Sequence, residues 1–185
     1  MSDKVILVNI NDKIIGEIAK IEAHEKALLH RAVSVIIFNS KGQMLLQKRA
    51  LNKYHSAGLW SNTACTHPFP GEDNKTAAQR RLKEEMGIHA EVFKIFDFIY
   101  HEKLDNGLTE HEFDHVYIGI SDEPPQPDPN EVSDFDYFER NFLKNELSSS
   151  PKHYTVWFAI LFDRVYDFID QQHLRERLIT YNQTS

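Results

Sequence analysis

Apolar positions along this chain alternate in short runs before they adopt helical spacing. Residues 5–10 and 14–18 are β-branched runs separated by Asn11-Asp12-Lys13, which predicts a hairpin. Residues 33–38 and 44–48 repeat the pattern around Asn39-Ser40-Lys41-Gly42 and predict a second hairpin. The span 21–31 between them carries His24 and His30, and its Leu28-Leu29 pair is expected to anchor it to the core. Residues 92–100 and 112–120 predict two more strands, linked through Asp105-Asn106-Gly107, and 134–139 predicts another.

The charged run 73–86 predicts a helix, with Asp73 or Asn74 as its cap and Gly87 where it stops. Residues 140–147 predict a short helix halted by Ser148-Ser149-Ser150-Pro151. From about 154 to 180, aromatic and aliphatic residues recur at helical spacing. Residues 52–59 read as a polar, aromatic loop, and the prolines of 124–129 require an extended surface loop. Strands interspersed with helices, without an internal repeat or flexible linker, predict one mixed α/β (α+β) domain over residues 1–185.

Composition narrows the function. A chain of 185 residues can bury one full core, and 41% apolar with 26% charged residues is ordinary for a globular protein. The net charge of -7 argues against a surface that coats nucleic acid, yet a few clustered cations suffice for a small phosphate ligand. The lone cysteine, Cys65, cannot form an intramolecular disulfide. The apolar run after Lys4 is too short for a signal peptide or a membrane span. A cytoplasmic protein with neither a nucleic-acid nor a membrane partner is therefore expected.

Candidate chemistry concentrates in residues 60–88, which hold Cys65, His67 and the acidic end of the helix. Glu84 and Glu85 point about 100° apart on a helix, so at most one aims squarely at a given ligand. His24, His30 and His67 are far apart in sequence and make no local zinc pattern. Glu110 and Glu112 share one face of a strand, where they repel unless a cation or a proton lies between them.

The run Glu72-x7-Arg80-Arg81-Leu82-Lys83-Glu84-Glu85-Met86-Gly87-Ile88 resembles the Nudix box, G-x5-E-x7-R-E-U-x-E-E-x-G-U. Thr66 stands where the first glycine belongs, and Arg81 replaces the first glutamate of R-E-U. That exchange trades a metal ligand for a phosphate-binding guanidinium and speaks against hydrolysis. L-L-H-R-A-V-S-V-I-I-F-N (28–39), R-A-L-N-K (49–53), W-S-N-T-A-C-T-H-P (60–68) and E-H-E (110–112) together resemble type I isopentenyl-diphosphate isomerases, over nearly the whole chain.

The resemblance implies a Nudix-like fold, with a central mixed sheet flanked by helices. It also implies an N-terminal extension of about 1–30 that supplies metal ligands to a core of about 31–168. The implied reaction is isomerisation of isopentenyl diphosphate to dimethylallyl diphosphate through a carbocation. The alternative is a Nudix hydrolase of a nucleoside diphosphate derivative. Glu112 would donate a proton to the alkene and Cys65 would handle the allylic proton, with the reverse assignment open. Tyr100 would hydrogen-bond Glu112, and Trp157 would face the cation. His24, His30, His67, Glu110 and Glu112 would hold one divalent metal, Mn²⁺, Mg²⁺ or Zn²⁺. Glu85 would join a second ion, Mg²⁺, to the diphosphate, and Lys20, Arg49, Lys53 and Arg81 would bind that diphosphate. The partner is a small isoprenoid diphosphate; the oligomeric state stays open, with a monomer expected.

Overall fold

The computed structural model describes residues 4–172. β1 (Lys4–Val8) and β2 (Ile14–Ala19) form the first hairpin. The first strand is shorter than predicted because Asn9 begins the turn, its Oδ1 accepting from the backbone of Asn11 and Lys13. α1 (Lys20–Glu25) follows, then β3 (His30–Phe38) and β4 (Met44–Arg49). Leu28 and Leu29 are only half-buried, and Leu29 packs on a small cluster of Ile6, Val8 and Phe113. The fully buried side chains of α1 that anchor this span are instead Ala23 and His24.

β3 is the central strand. It runs parallel to β8 (Thr109–Ile120), from His30 opposite Glu112 to Phe38 opposite Ile120. β8 also pairs antiparallel with β7 (Val92–Lys103), so the sheet is mixed, as predicted. Both strands outrun their predicted limits, because polar pairs such as His101 with His111 and Glu102 with Glu110 continue the ladder beyond the apolar runs.

β3 and β4 touch only near their hairpin turn and then diverge. β5 (Trp60–Asn62) pairs with β4, whereas β6 (Ala64–Thr66) pairs with β3. Thr63 sits at the fork. Its hydroxyl donates to Leu45 O at 2.6 Å and accepts from Ile37 N at 2.9 Å, so it bridges the separating strands. Asn62 Nδ2 donates to the carbonyls of Val35 and Ala64. The polar W-S-N-T stretch thus meets buried backbone groups that the sheet ladder leaves unpaired.

α2 (Asn74–Met86) covers one face through Val33, Val35, Ile37, Leu45, Leu82 and Met86. α4 (Val156–Gln171) covers the other through Ile36, Phe38, Met44, Phe158, Leu161 and Val165. Cover on both faces explains why residues 35–38 of β3 are apolar at every position. β9 (Val132–Phe138) pairs with β4 and leads into α3 (Arg140–Ser149). The part of the predicted last helix beyond 172 lies outside the described residues. Among the described residues no helix is long and apolar enough to cross a membrane.

Asp73 caps α2 by accepting from Thr76 N, and Gly87 ends it at φ 70°. A Cβ at Gly87 would lie 2.7 Å from Gln126 O. That close approach lets the proline-rich loop dock on the helix end. Gln126 N donates to Met86 O at 2.7 Å, and Asp128 N to Glu85 O at 3.0 Å.

Candidate active site

The fork between β3 and β4 opens beside a cavity of about 300 Å³. Of the site residues named from the sequence, it is lined by Lys20, Arg49, Lys53, Cys65, His67, Arg81, Glu85, Tyr100, Glu110, Glu112 and Trp157. His24 and His30 are the two that stand behind its wall, both fully buried.

The histidines and the E-H-E strand converge although they are distant in sequence. Parallel pairing sets His30 opposite Glu112, and β6 brings His67 Nε2 to 2.8 Å from Glu112 Oε1. His30 Nε2 lies 3.2 Å from His67 Nε2 and 3.6 Å from Glu112 Oε1. His24 Nδ1 donates to Lys20 O at 2.7 Å, and His30 Nδ1 to Leu28 O at 2.8 Å. A carbonyl can only accept, so each ring carries its proton on Nδ1 when neutral and turns the lone pair of Nε2 toward the cluster.

His24 Nε2 and Glu110 Oε2 are 3.1 Å apart but not aligned for a hydrogen bond, and both are buried with no other partner among the described residues. The ligand atoms of His24, His30, His67 and Glu112 lie within 4.8 Å of one another. Adjacent ligands around a six-coordinate ion at about 2.1 Å are about 3.0 Å apart, and opposite ones about 4.2 Å. Three imidazoles, two of them with Nδ1 held by backbone carbonyls, two carboxylates and these spacings fit a divalent cation.

Burial, then repulsion from Glu112, pushes the Glu110 carboxyl up. Burial works in the same direction on Glu112, but the His30 and His67 imidazoles beside it outweigh it and hold that carboxyl well below its usual range. Burial lowers His67 to about 3. Tyr100 faces Glu112 across the β7–β8 ladder, and its hydroxyl donates to Glu112 Oε2 at 2.6 Å.

Cys65 is half-buried, opposite Ser34 on β3, and its thiol donates to Asn62 Oδ1 at 3.1 Å. Burial, with the nearby Glu85 and Asp114 carboxyls, pushes that thiol up to about 12. Ser34 also donates to Asp114 Oδ2 at 2.8 Å. Trp157 is pinned by its Nε1–H donating to Ser61 Oγ at 3.0 Å, and the Arg49 guanidinium lies 5.3 Å from the ring centroid.

The remaining cations gather around two carboxylates. Arg81 Nη2 lies 2.7 Å from Glu85 Oε1, and Gln47 donates to Glu85 Oε2 at 2.7 Å. Arg81 and Lys53 both ion-pair with Glu131. Burial, then the charge of Arg81, lowers Lys20.

The NUDIX domain model matches residues 28–158. An isopentenyl-diphosphate Delta-isomerase of Pectobacterium atrosepticum is 49% identical over 165 residues, covering 89% of this chain and 92% of that protein. The protein of that name from Serratia proteamaculans is 46% identical, over 87% of this chain and 90% of its own. This chain belongs to the isopentenyl-diphosphate Delta-isomerase family of NUDIX-domain proteins.

Solved structures bear out the fold. The DR0079 protein of Deinococcus radiodurans superposes with a TM-score of 0.74 at 22% identity, covering 88% of this chain and 99% of that one. A MutT protein of Methanosarcina mazei gives 0.62 at 20% identity, covering 78% and 95%. Within the NUDIX segment the Glu72-x7-Arg80 spacing has a structural cause. Arg80 grips Glu72 with two bonds of 2.7 and 2.9 Å while Glu72 Oε2 accepts from Phe69 N, so the pair ties the loop to α2. Arg80 also lies over Phe69, 4.0 Å from its centroid.

Sequence reasoning missed three side chains. His55 is buried and lines the cavity, and burial lowers it to about 3. Glu131 joins two of the named cations, and Asp114, on the strand that carries Glu112, accepts from Ser34 of β3. Asp114 alone had a signal, since it continues the Glu110, Glu112 alternation on one face of β8.

Proposed function

We propose that this protein interconverts isopentenyl diphosphate and dimethylallyl diphosphate by adding and removing protons on the carbon chain. One observation carries the reading: a single cavity is lined by the Cys65 thiol, the Glu112 carboxyl that Tyr100 hydrogen-bonds, and four cations suited to a diphosphate. The names of relatives at 46–49% identity support it.

Moving the double bond adds a proton at the terminal carbon and removes one two carbons away, through a tertiary cation. Glu112 and Cys65 carry the two transfers: one gives the first proton and the other takes the second, and the roles exchange in the reverse direction. Tyr100 steadies the Glu112 carboxylate as its proton leaves. The π face of Trp157, fixed by Ser61, stabilises the cation by about 2 kcal/mol once water is excluded. A divalent cation, Mn²⁺, Mg²⁺ or Zn²⁺, held by His24, His30, His67, Glu110 and Glu112, supplies the positive charge that relieves repulsion between the two carboxylates.

Lys20, Arg49, Lys53 and Arg81 take the diphosphate, and Glu85 is the carboxylate that would hold Mg²⁺ against it. Glu131 does not line the cavity; it holds Lys53 and Arg81 from behind. The described part of the N-terminal extension, residues 4–30, supplies His24 and His30 to a core of about 31–168. The hydrolase reading is weaker, because Arg81 replaces a metal-binding glutamate of the box and is already ion-paired with Glu85.

Cys65→Ala tests the assignment. Isomerisation should vanish while the circular dichroism spectrum and inorganic pyrophosphate binding persist. Retained turnover would remove Cys65 from the mechanism.

A further inference from the structure

Nothing in the proposed reaction uses His55, which lies in the loop between β4 and β5. Loop histidines are usually exposed, yet this one is 7% exposed and lines the cavity. The loop is shaped to put it there. Ser56 adopts φ 50° and Gly58 φ 72°, both left-handed, and such a backbone is strained at a serine. Arg49 donates to the carbonyls of His55 and Ser56, at 3.2 Å each. Tyr54 and Trp157 stand edge-on to the imidazole, with centroids at 4.4 and 5.7 Å.

Held in this way, His55 Nε2 lies 3.6 Å from Glu110 Oε1. The other oxygen of Glu110 lies 3.1 Å from His24 Nε2. The ligand atoms of His24, His55 and Glu110 fall within 4.8 Å of one another. The carboxylate of Glu110 is therefore flanked by two imidazoles, one on each oxygen.

The two rings differ in what fixes their protons. His24 Nδ1 faces a carbonyl, which leaves Nε2 with a lone pair for a cation. His55 Nδ1 lies 3.2 Å from the hydroxyl of Ser56, which can donate to it and leave the proton on Nε2, toward Glu110.

We propose that His55 is a positioning residue of the metal centre, whose Nε2–H holds Glu110 Oε1 so that Oε2 is presented to the cation. This rests on the reading above that His24, His30, His67, Glu110 and Glu112 bind a divalent cation. At 3.6 Å the contact is longer than a hydrogen bond. A turn of the carboxylate that closes it by about half an ångström brings it into range. A donor of this kind sets the orientation of a ligating carboxylate, and removing one typically weakens metal binding about 10- to 100-fold.

The test is Mn²⁺ titration of the metal-stripped full chain, followed by the electron paramagnetic resonance of the free ion. Wild type, His55→Leu, His55→Gln and Glu110→Gln are compared, with circular dichroism to check folding. Wild type should bind Mn²⁺ and Glu110→Gln should bind it much more weakly. His55→Leu should lose about 10- to 100-fold in affinity. His55→Gln, whose amide nitrogen reaches about as far as Nε2, should stay within about threefold of wild type. Leucine binding like wild type would overturn the inference and leave the metal centre standing. Equal losses in the leucine and glutamine variants would overturn it in favour of direct ligation by His55. A wild type that binds no Mn²⁺ would overturn the metal centre and this inference with it.

Discussion

Replacing Tyr100 with phenylalanine removes one hydroxyl and keeps the ring. That hydroxyl donates to Glu112 Oε2 at 2.6 Å, and the two residues are 7% and 8% exposed. The ring stacks on Phe98 with centroids 5.5 Å apart, a contact that phenylalanine retains. A hydrogen bond to a buried, charged carboxylate is worth about 1.5–3 kcal/mol. It is stronger to the carboxylate than to the carboxylic acid, so its value changes along the proton transfer and is read in kcat. The expected loss in kcat is then about 10- to 150-fold. KM should stay within about twofold, because no contact in the structure links Tyr100 to Lys20, Arg49, Lys53 or Arg81. Steady-state kinetics with labelled isopentenyl diphosphate at saturating Mg²⁺ give both constants. A kcat within about threefold of wild type would refute the reasoning, as would a loss carried wholly by KM.

Glu131→Gln releases Lys53 and Arg81 from their shared carboxylate. KM should rise about 5- to 30-fold, matching about 1–2 kcal/mol, with kcat little changed; unchanged inorganic pyrophosphate affinity by calorimetry would refute this. Hydrogen bonds from Arg80 hold the Glu72 carboxyl below its ordinary 4.5. A depressed carboxyl adds stability that is present above the unfolded value and is lost as pH falls through the folded one. The gap in urea midpoint between wild type and Glu72→Gln should therefore be full at pH 7 and close toward pH 3; a gap independent of pH would count against the pair. Gly87→Ala puts a Cβ 2.7 Å from Gln126 O at φ 70°. It should cost at least about 1–2 kcal/mol in denaturant unfolding and weaken pyrophosphate binding by shifting the loop that carries Glu131; wild-type values for both would contradict the docking role of that loop.

The fold was legible wherever local physics decides it. The apolar runs of β3 and β8, the Asp73 cap and the Gly87 stop all announce their elements in sequence. The outer ends of β7 and β8 did not, because His101, Glu102, Glu110 and His111 extend the ladder with polar residues that carry no periodic apolar signal. The site was legible largely through resemblance. His24, His30, His67 and the E-H-E strand converge only because β3 pairs with β6 on one side and with β8 on the other. Glu131 had no signal of its own: a single acid at the end of a proline-rich loop gains meaning only when that loop docks on the end of α2. His55 read as one more polar loop residue until the left-handed turn at Ser56 turned it inward.

Incubation of wild type with Mg²⁺ and isopentenyl diphosphate in D₂O, followed by ¹H and ³¹P magnetic resonance, tests the proton-exchange reading most directly. Dimethylallyl diphosphate should appear with deuterium in the methyl group formed from the terminal carbon, while both phosphorus signals remain those of an intact diphosphate. Release of monophosphate or inorganic phosphate without isomer would contradict it and restore the hydrolase reading.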